Sequence, residues 1–146
     1  MRRGKVSELS NRKGGKVPKR SLTPSEHQVQ VAFINWCRLN EARYPALKLA
    51  FACPNGGLRN VITAKKLKAE GVRPGVPDWW LPVPSYHPRM VAPKNGLTIE
   101  FKRPGAKPSE AQWDYIHELE AWGWSCHICS DWERAAEIVK EYLGVA

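Results

Sequence analysis

The stretch LTIEFKRPG, residues 97–105, constrains the chain more than any other. It alternates as a strand does, so Leu97, Ile99 and Phe101 face one way while Thr98, Glu100 and Lys102 face the other. One side of such a strand belongs in a core. The other sets a carboxylate beside an ammonium, either as a solvated edge ion pair of little energetic weight or as part of a site.

Upstream, a rigid loop VRPGVPD leads into the apolar run DWWLPV, with Asp78 at the junction. If the runs at 78 and 97 pair as a hairpin across the proline-rich segment 82–95, Asp78 and Glu100 converge. Two adjacent carboxylates repel unless a positive charge lies between them. An oxygen-preferring divalent cation, Mg²⁺ or Mn²⁺, answers that need, with the Phe101 main-chain carbonyl as a further ligand. Lys102 then orients the attacking water, and a phosphodiester is drawn to both positive groups.

The remaining pattern frames these residues in a mixed α/β domain. A helix begins in TPSEHQVQVAFINWCRLN, with Thr23 as cap, Pro24 in the first turn and Glu26 closing a capping box. Val29, Ala32, Phe33, Trp36 and Cys37 form its buried stripe. Residues 46–53 alternate as a strand, NGGLRN at 55–60 is a glycine-containing loop, and VITAKKLKAEG is a short helix ended by Gly71. Beyond the central strand, a helix runs from Ser109 to Trp122 and stops at Gly123. WSCHICS is a strand, and a last helix is capped by Asp131 and ended by Gly144. Helices on both faces of a central sheet are expected. Trp79, Trp80, Trp122 and Trp124 are read as core residues rather than base-stacking platforms.

The 146 residues suit one domain, 42% of them apolar. The formal net charge of +9 is concentrated in residues 1–22, where eight Lys/Arg face the single acid Glu8. This arm is read as flexible, serving either a polyanion partner such as nucleic acid or only solubility. There is no apolar run of membrane-spanning length and no leader-like segment, which gives the expectation of a soluble cytoplasmic protein with no membrane partner. Cys37, Cys53, Cys126 and Cys129 are read as reduced thiols. The lone C-x-x-C at 126–129 lacks the second ligand pair of a structural zinc site, so a zinc-dependent interaction module is the minority reading.

The motif set PGVPD…IEFKRPG…SEAQ resembles the PD-(D/E)XK nuclease superfamily and, more narrowly, the virus-type replication-repair nuclease (VRR-NUC) domain family. The matching pieces, which include EHQVQVAFINWCR and PNGGLR, occur in family order over residues 24–143. The resemblance implies a restriction-endonuclease-like core at 23–146 and Mg²⁺- or Mn²⁺-dependent hydrolysis of DNA, with 5′-phosphate and 3′-hydroxyl products. It implies Asp78 and Glu100 as metal ligands, Lys102 as the catalytic lysine, Glu26 acting through a metal-bound water, and Gln112 and Gln30 nearby. Asn55, Gly56, Gly57 and Arg59 match family positions, where Arg59 is either a backbone contact or an exposed turn residue. Lys65, Lys66, Arg73, Arg103 and Lys107 flank the motifs as candidate phosphate contacts, and Lys68 extends that basic surface. The resemblance further implies a homodimer acting on branched or junction DNA in a bacterial or phage-infected cell. A nucleic-acid-binding module without catalysis is the alternative.

Overall fold

The computed structural model describes residues 23–54, 61–85, 88 and 91–145. The basic arm, the 55–60 loop with Arg59, and parts of the 82–95 segment lie outside the described residues. In chain order the elements are α1 (Glu26–Asn40), a 3₁₀ turn (Pro45–Leu49), β1 (Phe51–Ala52), α2 (Val61–Ala69), β2 (Trp79–Leu81), β3 (Leu97–Phe101), α3 (Glu110–Ala121), β4 (Ser125–Cys129) and α4 (Trp132–Tyr142).

The four strands form one mixed sheet in the order β1-β2-β3-β4. β1 and β2 pair antiparallel, as do β2 and β3, whereas β3 and β4 run parallel with α3 as the crossover. Within the β2–β3 hairpin Trp79 pairs with Ile99 and Leu81 with Leu97. An isolated bridge between Ser85 and Lys94 extends the pairing into the proline-rich connection.

Two apolar layers explain why the sheet is stable. On one face Phe33 of α1 packs edge-on against Trp79 and tilted against Phe101, with ring centroids 5.0 and 5.5 Å apart. Val29, Cys37, Leu97, Ile99, Ala135, Ile138 and Val139 complete this core. Fully burying an aliphatic or aromatic side chain of this kind contributes about 1.5–3 kcal/mol. On the other face lies α3, with Trp80 meeting Trp124 in a T-shaped contact at 5.1 Å. Helices therefore cover both faces, as the pattern predicts. No helix among the described residues is long and apolar enough to cross a membrane.

The structure corrects three local expectations. α1 is capped by Ser25, not Thr23, and Gln28 closes the box, so Pro24 precedes the cap. Overlapping T-x-x-E and S-x-x-Q frames compete here, and the first loses because the Glu26 carboxylate accepts the Arg103 N–H instead. The strand expected at 46–53 is a 3₁₀ turn followed by only two strand residues, since Pro45 fixes the first turn and Leu47 alone of that turn is buried. Trp122, read as core, is 74% exposed, because it is the C-cap of α3 where the chain turns away at Gly123.

Candidate active site

Asp78 sits where three anchors converge on the loop before β2. The Trp80 indole donates to the Pro77 carbonyl at 3.0 Å. The Cys53 N–H donates to the Asp78 carbonyl at 2.9 Å. Gly75, with φ +79°, lies so close to α3 that a Cβ there would stand 2.1 Å from the Ala111 carbonyl oxygen. Only glycine satisfies both the left-handed backbone and that approach. The Asp78 side chain then accepts the Phe101 N–H at 2.8 Å, closing the end of the hairpin ladder.

Continuing the β2–β3 register by one residue sets Asp78 opposite Glu100. Glu100 is buried to 2% exposure in the middle of the sheet. Lys102 Nζ donates to Glu100 Oε1 at 2.6 Å, and Gln112 Nε2 donates to the same oxygen. The other oxygen, Oε2, is buried and has no hydrogen-bond partner. A buried carboxylate oxygen left this way is costly in a low-dielectric interior.

The acidities follow from this placement. Burial, with the Asp78 charge beside it, outweighs the Lys102 hydrogen bond and pushes the Glu100 carboxyl up to about 7. Burial also raises Asp78, partly offset by the Phe101 N–H and the Lys102 charge, while the Glu26 charge pushes it further up. Both acids are thus less acidic than free carboxyls, and a further cation between them would favour their charged forms.

Gln112 is set by its own helix. In S-E-A-Q the Ser109 hydroxyl accepts the Gln112 N–H, and the Gln112 Oε1 accepts the Ser109 N–H at 2.8 Å. This capping box fixes the amide so that Nε2 faces Glu100. The sequence places Gln112 near the site, and its double engagement emerges only with β3 packed beside α3. Glu26 lies at the first turn of α1 and binds the Arg103 N–H at 3.0 Å, which ties α1 to the chain just past Lys102. Gln30, one turn on, is half-buried on the same helix.

The candidate donors are all oxygen: Asp78, Glu100 and the Phe101 carbonyl, which suits a hard divalent cation. Among the described residues, no three His, Cys, Asp or Glu side chains already gather around one point. The unpartnered Glu100 Oε2, in a residue opposite the raised Asp78, is what fits such an ion.

The flanking cations distribute unevenly. Lys65, Lys66 and Lys68 are exposed on α2, where Lys66 approaches Glu70 at 3.9 Å. Arg73 is exposed in the loop before Gly75, and Arg103 and Lys107 are exposed after β3. In register, Cys126 pairs with Thr98 and Cys129 with Phe101, which puts the two thiols on opposite faces of the sheet.

A model of the VRR-NUC domain matches residues 16–131. The chain belongs to the VRR-NUC family. It carries the PD-(D/E)XK-like core of that nuclease family, and its mixed sheet is the expected scaffold. A solved VRR_NUC domain protein shares this fold, with a TM-score of 0.67 and 21% identity over 84% of this chain and 91% of that one. No curated protein matches the chain. The matched range includes Asp78, Glu100, Lys102 and Gln112.

Proposed function

We propose that this VRR-NUC domain is a divalent-metal-dependent DNA endonuclease. The observation that carries the reading is Glu100 itself: Oε1 takes both Lys102 and Gln112, and Oε2 is buried without a partner across from Asp78. A site built only to bind DNA gains nothing from two acids facing a phosphate.

Asp78, Glu100 and the Phe101 carbonyl would hold Mg²⁺ or Mn²⁺, with Glu26 reaching it through a water, and the bound ion supplies positive charge to a phosphodiester under attack. The residues of the chain do the rest. Lys102 orients the attacking water and offers its ammonium to charge building on the phosphate oxygens. Gln112 keeps Glu100 aimed across the sheet. Arg73, Arg103 and Lys107, with Arg59 and the α2 lysines Lys65 and Lys66, are placed in sequence to neutralise neighbouring phosphates. Water adds to phosphorus as the bond to the 3′ oxygen breaks, leaving 5′-phosphate and 3′-hydroxyl ends.

The proposal extends to a homodimer whose paired sites nick two strands of branched DNA, working inside the cell. Plasmid and four-way-junction DNA incubated with Mg²⁺, Mn²⁺ or EDTA test it. Cutting is expected with either metal and in neither Asp78→Ala nor Lys102→Ala. Binding that persists in EDTA without cleavage under any metal would instead establish a non-catalytic module.

A further inference from the structure

Three clefts surround the loop at 72–76, and Arg73 lines all of them. Their chemistry separates them. The cleft of about 540 Å³ on the outer flank of α3 includes Asp114 and Glu118, whose charges oppose a phosphate. The cleft of about 390 Å³ beside Cys53 and Tyr115 has Arg73 as its sole charge among the described residues. The third, of about 480 Å³ between α2 and the start of α3, pairs Lys68 with Arg73 and has no acid among the described residues of its wall. Leu67, Val72 and Val76 give it an apolar side, and Gln112 is part of its wall. Gln112 also bonds Glu100, so this cleft begins one side chain from the catalytic carboxylate.

We propose that this third cleft receives one unpaired nucleotide of the substrate, with its base against Leu67, Val72 and Val76 and its phosphate between Lys68 and Arg73. The inference rests on the nuclease reading above and names its substrate class: DNA with a nucleotide free of pairing beside the cut. A volume of about 480 Å³ lies within the range of small-molecule pockets. A paired base is stacked inside the duplex and reaches such a pocket only after unstacking, whose cost is least where the base is already unpaired. The wall has little with which to read base identity. Gln112 spends Oε1 on the Ser109 N–H and one of its two Nε2 hydrogens on Glu100, and Leu67, Val72 and Val76 offer no polar side-chain atom. The cleft therefore tolerates any base while demanding that one be available.

The test uses two matched duplexes, one fully paired and one with a single bulged 2-aminopurine nucleotide. With Mg²⁺ the wild-type protein should cut the bulged duplex at least about tenfold faster, in line with the few kcal/mol that unstacking costs a paired base. Val72→Trp, which fills an exposed wall position, should erase that ratio, and so should removal of the bulged base to leave an abasic site. Equal cutting of the two duplexes, or a ratio that survives either change, overturns the inference while leaving the nuclease reading intact. If nothing is cut under any metal, the nuclease reading fails, and 2-aminopurine fluorescence in EDTA still decides the cleft. A change on binding that Val72→Trp abolishes supports it, and no change refutes it. Circular dichroism of the variant confirms that the fold is retained.

Discussion

Lys102 Nζ lies 2.6 Å from Glu100 Oε1, in a pair whose side chains are only 15% and 2% exposed. A contact this dry is unlike a surface ion pair, because removing Lys102 leaves the Glu100 carboxylate as an uncompensated buried charge. Lys102→Met should lower cleavage by about 10²–10⁴-fold, the usual weight of a positioned group acting on the attacking water. Duplex binding should change only a few-fold. Single-turnover cleavage beside a binding titration separates the two, and unchanged cleavage would remove Lys102 from the chemistry.

Glu100→Gln makes the opposite trade. The amide keeps the acceptor for Lys102 and Gln112 but removes the buried negative charge. Metal-free protein at pH 8 should melt at a higher temperature than wild type, while cleavage falls at least about 100-fold. A lower melting temperature would mean that Glu100 stabilises the fold as a carboxylate.

The pH dependence follows from Glu100, whose carboxyl is held up at about 7 by burial. For an acid raised in this way, the folded state binds more protons than the unfolded chain between the ordinary carboxylate range and pH 7. Its contribution to stability is therefore full at low pH and is lost as pH rises through about 7. Asp78 is shifted in the same direction. Melting of metal-free protein from pH 5 to 8 should show this loss, and Mg²⁺ should restore more at pH 8 than at pH 5. If the proposed ion needs both carboxylates ionised, cleavage should climb through the same range.

Gln112→Ala and Ser109→Ala distinguish the two duties of one side chain. Both break the α3 capping box and should cost about 1 kcal/mol of stability. Only the first removes a donor from Glu100, so it alone should raise the Mg²⁺ concentration for half-maximal cutting, by about 10–100-fold. Metal titrations of cleavage measure the difference, and equal behaviour would reduce Gln112 to a cap.

Gly75→Ala should abolish the proposed cleavage without altering any of the proposed site residues. The added methyl would meet the Ala111 carbonyl at 2.1 Å, and neither backbone yields without moving Asp78 or Gln112. Loss of cleavage with a lower melting temperature is expected, whereas wild-type activity would show that the loop floats free of α3.

Much of this was legible in the residues because local and long-range signals agree. β3 alternates cleanly, and α3 and α4 carry Ser109 and Asp131 as caps with Gly123 and Gly144 beyond their ends. Asp78 and Glu100 could be brought together on paper through the motif resemblance and an assumed hairpin, and the register that sets them opposite comes from the sheet itself. Other features depend on partners distant in sequence. Thr23 and Ser25 are equally good caps until Arg103, 77 positions beyond Glu26, claims the Glu26 carboxylate. The alternation at 46–53 reads as a strand, yet only Phe51 and Ala52 find a neighbour in β2. Trp122 reads as core from its bulk alone, and its exposure is decided by where α3 ends.

β3 threads its two duties through alternate positions, with Ile99 and Phe101 sealing one layer while Glu100 and Lys102 arm the other. Sliding that strand by a single residue against β2 would push the carboxylate among the aromatic rings and turn phenylalanine toward the substrate. Misthreaded molecules would expose the ring layer, so the proposed cleavage of a preparation should scale with its fraction of correctly assembled sheets.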